Sequence, residues 1–457
     1  MAKKWTILGQ DPDVLLAMLA NIISWIVSTT FPSFLPSLLP ACEEEETGQI
    51  QEGEKEERTK CVSIGRPGGL EQLRVIYLKK GIVTVGYNVT HFCKPPFTPS
   101  ILPVQVDSSN DFPSDCIILN NKTFSINYAD CTIRWGLYES AKKFVGWPIV
   151  PGFDVAGIVD CVSIHSDDKK GTTATTNVDD DRNKLVKGDR VFGVTLFGSY
   201  SNRILVPKIQ LRKIPEGISF AQAASLPTVS LTALYALSLA GYFPVSTMKY
   251  SNNSILIHSA AGGVGSMLVQ MSKILGLHPI VGVVGSTSKV KEAKSLGCDV
   301  VIDKSKENLW KCAEEAAPHD GYKVIMDANG ISTLQNSYEH LAPTGRLIVF
   351  GFHSNLPVGK DMLSPMEWIR MAQKMNSMPK FDAMDLTVEN KAVLGFNLSF
   401  FSGEGELVSK LFDQICEWLN DGCLRFPRVQ TMDISEIAEA HTLIQSGSSI
   451  GKIVINT

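Results

Sequence analysis

Residues 255–273 constrain the fold more than any other stretch of the chain. Ile255-Leu256-Ile257 is an apolar strand, and His258-Ser259-Ala260-Ala261-Gly262-Gly263-Val264-Gly265 a turn of mostly small residues. Ser266-Met267-Leu268-Val269-Gln270-Met271-Ser272-Lys273 then reads as a helix. A strand, a tight turn and a helix N-terminus gather backbone N–H groups and the positive end of a helix dipole around one point. Small side chains let an anion come close to that point. The pattern is that of a pyrophosphate cradle. It departs from G-x-G-x-x-G at one place, where Ala260 stands for the first glycine.

The surrounding pattern repeats. Residues 279–284 form a second apolar strand, 289–296 a short helix and 299–302 a third strand. Residues 324–326 and 346–350 add two more strands, with a helical stretch at 334–341 between them. Alternating strand and helix predicts an α/β unit with a doubly wound parallel sheet. Gly285, Gly330 and Gly351 stand at strand ends or turns. An NAD site usually has an acidic residue at the end of the second strand, where it accepts hydrogen bonds from the ribose 2′-hydroxyl. Here that end reads Val283-Val284-Gly285-Ser286-Thr287-Ser288-Lys289, with no acid. Hydroxyls and a lysine suit a 2′-phosphate, and Lys304 beyond the third strand offers a second positive charge. The expected cofactor is NADPH.

A chain of 457 residues has room for two domains plus extensions. Its net charge of −4 supplies no basic field for nucleic acid. The ten cysteines form no C-x-x-C pair, which predicts free thiols in a reducing, cytoplasmic setting. The N-terminus differs from the rest. Residues 14–42 carry no charge, and Ala17, Asn21, Ser24 and Ser28 recur at helical spacing within an apolar run. Pro32, Pro36 and Pro40 end any helix. Residues 14–39 are therefore expected to span a membrane, to lie on one, or to pack on the protein body. Asp11 and Asp13 directly before the apolar run argue against a cleaved signal peptide. Residues 43–69 read as a disordered acidic linker, and residues 166–184 as a solvated insertion of low complexity.

Between linker and nucleotide-binding unit, strand-like runs at 73–78, 116–119, 156–162, 190–194 and 201–206 alternate with turn signals, predicting a smaller, mainly β domain. It contains Asn127-Tyr128-Ala129-Asp130, Arg134-Trp135-Gly136-Leu137-Tyr138, Pro148-Ile149-Val150-Pro151-Gly152-Phe153-Asp154-Val155-Ala156-Gly157 and Lys187-Gly188-Asp189-Arg190-Val191. These strings resemble the medium-chain dehydrogenase/reductase superfamily, in the zinc-free quinone oxidoreductase branch that includes the zeta-crystallins. The resemblance covers roughly residues 70–457. The run 258–265, the stretch Glu389-Asn390-Lys391-Ala392-Val393-Leu394-Gly395-Phe396-Asn397-Leu398 and Gly403-Glu404-Gly405-Glu406-Leu407-Val408 resemble the vesicle amine transport protein family most closely. Zinc-dependent relatives place a Cys where Asn127 stands and a His where Phe153 stands. Amide and phenyl cannot replace a thiolate and an imidazole on Zn²⁺, so the expectation is metal-free.

The resemblance implies a Rossmann domain at 229–389 and a GroES-like catalytic domain at 70–228 and 390–457. It implies that Tyr138 lies in the active-site cleft and that Asn127 is the branch's active-site asparagine, orienting a carbonyl or a water. Ala261, Gly262, Gly263 and Val264 would hold the pyrophosphate, and Gly285, Ser286 and Lys289, with Lys304, would surround the ribose phosphate. Asn329, Val349, Phe350, Gly351, Phe352, Phe396, Asn397 and Leu398 would contact the nicotinamide half, while Arg134 is either a surface ion-pair partner or a substrate contact. The implied activity is hydride transfer from NADPH to a quinone or activated alkene, in a homodimer joined through the nucleotide domain. Two alternatives stay open: an enoyl reductase, and a membrane-associated vesicle or organelle protein that keeps the nucleotide fold.

Overall fold

The computed structural model describes residues 59–78, 115–162, 185–243, 253–355, 365–401 and 403–457. The apolar segment at 14–39, most of the acidic linker and the whole insertion at 166–184 lie outside the described residues.

The chain enters through an antiparallel pair, β1 (Thr59–Ile64) and β2 (Leu73–Leu78). The linker was expected to run to residue 69, but Cys61, Val62 and Ile64 are fully buried. The amide of Val62 donates to Tyr200 O at 2.8 Å and that of Ile64 to Ile149 O at 2.8 Å. Apolar residues on alternate positions let this short strand close the edge of the core, although a dense charge run precedes it.

A mixed sheet follows, from β3 (Cys116–Ser125), β4 (Asp154–Val162), β5 (Arg190–Val194), β6 (Arg203–Pro207) and β7 (Leu211–Lys213). Its inner face is closed by Ile117, Leu119, Val155, Val159, Val191, Ile204 and Val206. Each such side chain contributes about 1.5–3 kcal/mol on burial. The parallel sheet comes next in the chain: β8 (Ile255–Ile257), β9 (Ile280–Val284), β10 (Val300–Asp303), β11 (Tyr322–Asp327), β12 (Leu341–Val349) and β13 (Ala392–Gly395). Its spatial order is β10-β9-β8-β11-β12-β13, every pairing parallel. This is the doubly wound order 3-2-1-4-5-6, with one switch point between β8 and β11. All five residues of β9 are buried, as a strand covered on both faces requires. Helices Pro227–Leu239 and Gly263–Ile274 share one core, which also takes Leu411, Phe412 and Ile415 from helix Gly405–Asn420. Ala313, Leu334 and Tyr338 belong to a second core, built on Leu256, Val281, Ile325 and Leu347.

The parallel sheet extends past the expected boundary at 389, because β13 adds its sixth strand by pairing with β12. The chain then returns to the smaller unit, where β14 (Val429–Asp433) and β15 (Lys452–Asn456) join the sheet beside β3. Among the described residues one helical stretch, Phe220–Leu239, is long and apolar enough to cross a membrane, and 67% of its 18-residue apolar window is buried inside the protein.

Candidate active site

The cradle takes its shape from two close approaches. Ser259 sits in the left-handed region at φ 58°, turning the chain sharply after β8. A Cβ on Gly265 would lie 2.1 Å from Ser259 O and 2.8 Å from Ala260 Cα, so only glycine lets the helix pack onto the strand end. Ala260 fits at the usual first glycine because its neighbour on β9 is Gly282: a Cβ there would lie only 2.9 Å from the Ala260 Cβ. Gly263 packs against Val229 and the Lys452 stem. The first-turn amides of helix Gly263–Ile274 have no intrahelical partners, as at any helix start, and are free to bind an anion. These features fit a pyrophosphate.

The sequence-predicted cofactor residues share one edge. Ile257, Val284, Asp303, Asp327, Val349 and Gly395 end the six parallel strands, and the loops carrying the predicted residues leave from these ends. Lys304 lies over Gly285, its Cε 3.8 Å from where a Cβ would stand. Lys289 Nζ donates to Gly447 O at 2.5 Å. Burial, then the positive charge of Lys304, hold the Lys289 ammonium below the usual lysine range. The Ser286 and Ser288 hydroxyls lie 3.0 Å apart next to Lys289 in sequence, and two lysines with hydroxyls nearby are groups that suit a phosphate. Asp303, at the end of the third strand, accepts from Thr287 Oγ1 at 2.6 Å and from Ser305 Oγ at 2.6 Å.

Asn329 is buried, and its loop is pinned by Asp327, whose Oδ1 accepts from the Asn329 amide at 2.8 Å and the Gly330 amide at 3.0 Å. Gly351 passes close to Ala328 O, 2.9 Å from a would-be Cβ, whereas Phe352 is 46% exposed. Phe396 packs edge-on to Tyr235 at 4.9 Å and lies 6.3 Å from Phe350, so it is as much a core residue as a lining one. Leu398 opens the 3-10 turn Leu398–Phe400 and packs on the core that the helices share.

On the facing unit, Asn127 caps helix Tyr128–Arg134, its amide donating to Asp130 Oδ2 at 2.8 Å. Its side chain gives a hydrogen to Asp154 Oδ2 at 2.8 Å and accepts from Lys452 Nζ at 2.7 Å. Lysine only donates and a carboxylate only accepts, so this fixes which end of the amide is which. Asn127 therefore acts first as a strut. Asp154 also accepts from Ser125 Oγ at 2.5 Å and from the Thr228 amide at 2.7 Å, and Lys452 Nζ donates to Ile126 O at 2.9 Å. Desolvation lowers the Lys452 pKa, partly offset by Asp154 and Asp130. Burial pushes Asp130 up to about 7. Lys452 escaped sequence reasoning; the one available signal was its place in the C-terminal Gly451-Lys452-Ile453-Val454-Ile455 run.

Tyr138 sits half-buried in an aromatic corner, 6.0 Å from Phe153 and 6.4 Å from Phe197, ring edges toward faces. Its hydroxyl donates to Asn397 Oδ1 at 3.1 Å, joining the two units across the cleft. Burial raises its pKa, so the phenol keeps its proton at neutral pH. A second cross-cleft pair, Tyr128 with His353, has ring centroids 4.3 Å apart; burial lowers the imidazole to about 4 and keeps it neutral. Sequence reasoning passed over His353. Arg134 proves neither a surface residue nor a substrate contact. It is fully buried, with Nη2 donating to Gln445 Oε1 at 2.8 Å.

Among the described residues no three His, Cys, Asp or Glu side chains come together as metal ligands. Cys131 Sγ lies 3.5 Å from His441 Nδ1, but His441 Nε2 pairs with the Tyr200 hydroxyl at 3.2 Å and the group is buried in the core. Phe153 is packed among aromatic rings and Asn127 is tied to Lys452, so the donor set does not suit zinc.

A family model described as "Alcohol dehydrogenase GroES-like domain" matches residues 113–216, and one described as "Zinc-binding dehydrogenase" matches residues 263–412. The human "Synaptic vesicle membrane protein VAT-1 homolog" is 27% identical over 340 residues, covering 74% of this chain and 78% of its own length. The "Probable quinone oxidoreductase" of Schizosaccharomyces pombe is 26% identical over 341 residues, covering 74% of this chain and 88% of its own. Among solved structures, an Escherichia coli quinone oxidoreductase complexed with NADPH superposes with a TM-score of 0.63 at 22% identity, over 87% of this chain and 100% of that one. The motifs, the two-unit architecture and these likenesses agree: the chain belongs to the medium-chain dehydrogenase/reductase superfamily, in its zinc-free quinone oxidoreductase branch.

Proposed function

We propose that this protein is an NADPH-dependent reductase that delivers hydride to a quinone or activated alkene without a metal ion. One observation carries the reading. The cradle and the lysine pair lie along the strand-end edge, and the aromatic corner around Tyr138 faces that edge across the cleft. The solved quinone oxidoreductase that resembles this chain was complexed with NADPH, which supports the cofactor assignment.

The reduced nicotinamide, when bound, supplies the hydride. This chain's residues bind and orient. Ala261, Gly262, Gly263 and Val264 would hold the pyrophosphate on helix-start amides. Gly285, Ser286, Lys289 and Lys304 would take the ribose phosphate. The loops at Asn329, Val349, Phe350, Gly351, Phe352 and at Phe396, Asn397, Leu398 would border the nicotinamide half. Tyr138, Phe153 and Phe197 form an apolar wall that excludes water, which strengthens every polar contact inside the cleft. With amide and phenyl at the ligand positions, the chain has no Lewis acid to stabilise an alkoxide, so an acceptor that is already electron-poor suits it best. Water supplies the proton that completes the reduction. The acceptor is a small molecule, the assembly a homodimer joined through the nucleotide-binding units, and residues 14–39 attach the protein to a membrane.

The test follows NADPH consumption with an ortho-quinone and with an enoyl thioester. Turnover of the quinone with NADPH preferred over NADH is the expected result. Tight NADPH binding with no turnover of either acceptor would favour a vesicle or organelle role. Fractionating cells with and without residues 1–42 tests the attachment, and a fully soluble intact chain refutes it.

A further inference from the structure

Asn397 offers more than a backbone contact. Its Oδ1 accepts from the Ser399 amide at 3.0 Å, the Ser399 hydroxyl at 2.8 Å and the Tyr138 hydroxyl at 3.1 Å. A backbone N–H can only donate, so the atom facing it is the oxygen, and the orientation of the amide is settled. The Tyr138 hydrogen is then committed to Asn397. Its phenol has no second hydrogen to offer an acceptor carbonyl. The Asn397 Nδ2 has two, is not buried, and has no protein partner among the described residues. Three donors converging on one carboxamide oxygen polarise the group and strengthen its N–H bonds as donors.

The location suits a substrate contact. Asn397 follows β13 at the strand-end edge and meets the catalytic unit through Tyr138. Beside it, Phe144 and Phe400 meet at a tilt, ring centroids 5.5 Å apart, with Lys143 5.6 Å from each ring. We infer that Asn397 Nδ2 is the hydrogen-bond donor to the acceptor's carbonyl oxygen, with Tyr138 as the positioning residue that fixes the carboxamide. The inference deepens the reductase reading above and rests on it. As the hydride and its two electrons add to the acceptor carbon, the π pair shifts onto the carbonyl oxygen. The nicotinamide is oxidised and the acceptor reduced, and water protonates the resulting oxyanion to the enol, which for a quinone tautomerises to the hydroquinone as the added carbon loses a proton and the second oxygen gains one. The Asn397 N–H bonds meet the oxygen on which that charge develops, where a preorganised donor has most effect.

Asn397→Asp separates the roles. The carboxylate keeps an oxygen for Ser399 and Tyr138, but it has no hydrogen to donate. With 1,2-naphthoquinone as acceptor, kcat/KM should fall roughly 10²–10³-fold, the loss typical of one oxyanion donor. The melting midpoint should hold, and because Asn397 also borders the nicotinamide half, any change in the NADPH dissociation constant should stay below about tenfold, well short of the kcat/KM loss. Tyr138→Phe leaves two donors on Oδ1 and should cost less than about tenfold. The second readout needs no turnover: the carbonyl stretch of bound 2-tetralone, an unreactive ketone. It should be red-shifted in wild type and in Tyr138→Phe, and lose that shift in Asn397→Asp. Should Asn397→Asp not fold, Asn397→Ala is read in both assays with the same expectation. A shift that survives at 397, no shift in wild type, or a larger loss from Tyr138→Phe than from Asn397→Asp overturns the inference. A wild-type protein that shifts tetralone through Asn397 but consumes no NADPH refutes the reductase reading and leaves the donor standing.

Discussion

Replacing Gly265 with alanine puts a methyl carbon 2.1 Å from Ser259 O and 2.8 Å from Ala260 Cα. Both neighbours are backbone atoms held in the turn after β8, so neither can swing aside. To reach ordinary contact the helix start must retreat from the strand end by about 1 Å. Overpacking of this kind costs on the order of 1–3 kcal/mol. At about 2–4 °C per kcal/mol for a domain of this size, the melting midpoint should drop by roughly 4–8 °C for a cost near 2 kcal/mol. The retreat also moves the amides that would grip the pyrophosphate, and a displacement of about 1 Å can cost 10²-fold in rate. Gly65→Ala is the control, because nothing lies within 4 Å of where its methyl group would stand and it is not among the cofactor residues. Differential scanning fluorimetry and a fluorescence titration with NADPH read both variants. Wild-type stability and wild-type NADPH affinity in Gly265→Ala would refute the close-approach account of the cradle.

Lys289→Asp replaces a charge that suits a 2′-phosphate with one that repels it. The loss of one charge-assisted hydrogen bond predicts about 10–100-fold weaker NADPH binding, with NADH little affected, and titration of the two nucleotides checks it. An unchanged NADPH affinity would remove Lys289 from the site. Stability should also depend on pH through Asp130. Burial lifts its folded pKa to about 7, against an ordinary value of 3.8, so the folded state keeps a proton that the unfolded chain releases. Its contribution is complete below about pH 4 and is lost as pH rises through about 7, at no more than about 1.4 kcal/mol per unit. Urea midpoints at pH 5 and pH 8 should differ less in Asp130→Asn than in wild type; an equal difference would place the titration elsewhere.

The sequence by itself determined the parts that depend on neighbours along the chain. Strand, turn and helix at 255–274 were legible because apolar periodicity and small residues encode local hydrogen bonding directly. The acid-free end of β9 pointed to phosphate for the same reason. The positions of Asn127 and Phe153 spoke against zinc before any geometry was known. What only the tertiary structure decided are contacts between residues far apart in the chain. Tyr138 meets Asn397 across 259 positions, and Lys452 reaches Asn127 across 325. Arg134 reads in sequence as either a surface ion-pair partner or a substrate contact and is fully buried beside Gln445, 311 positions away. The strand at 59–64 looked like the end of a linker until Tyr200 and Ile149 paired with it. A periodic pattern says which face of an element is apolar, but not which distant element will cover it. That is settled only when β13 and β15 close their sheets, and this closure sets Asn397 against Tyr138 and Lys452 under the cradle.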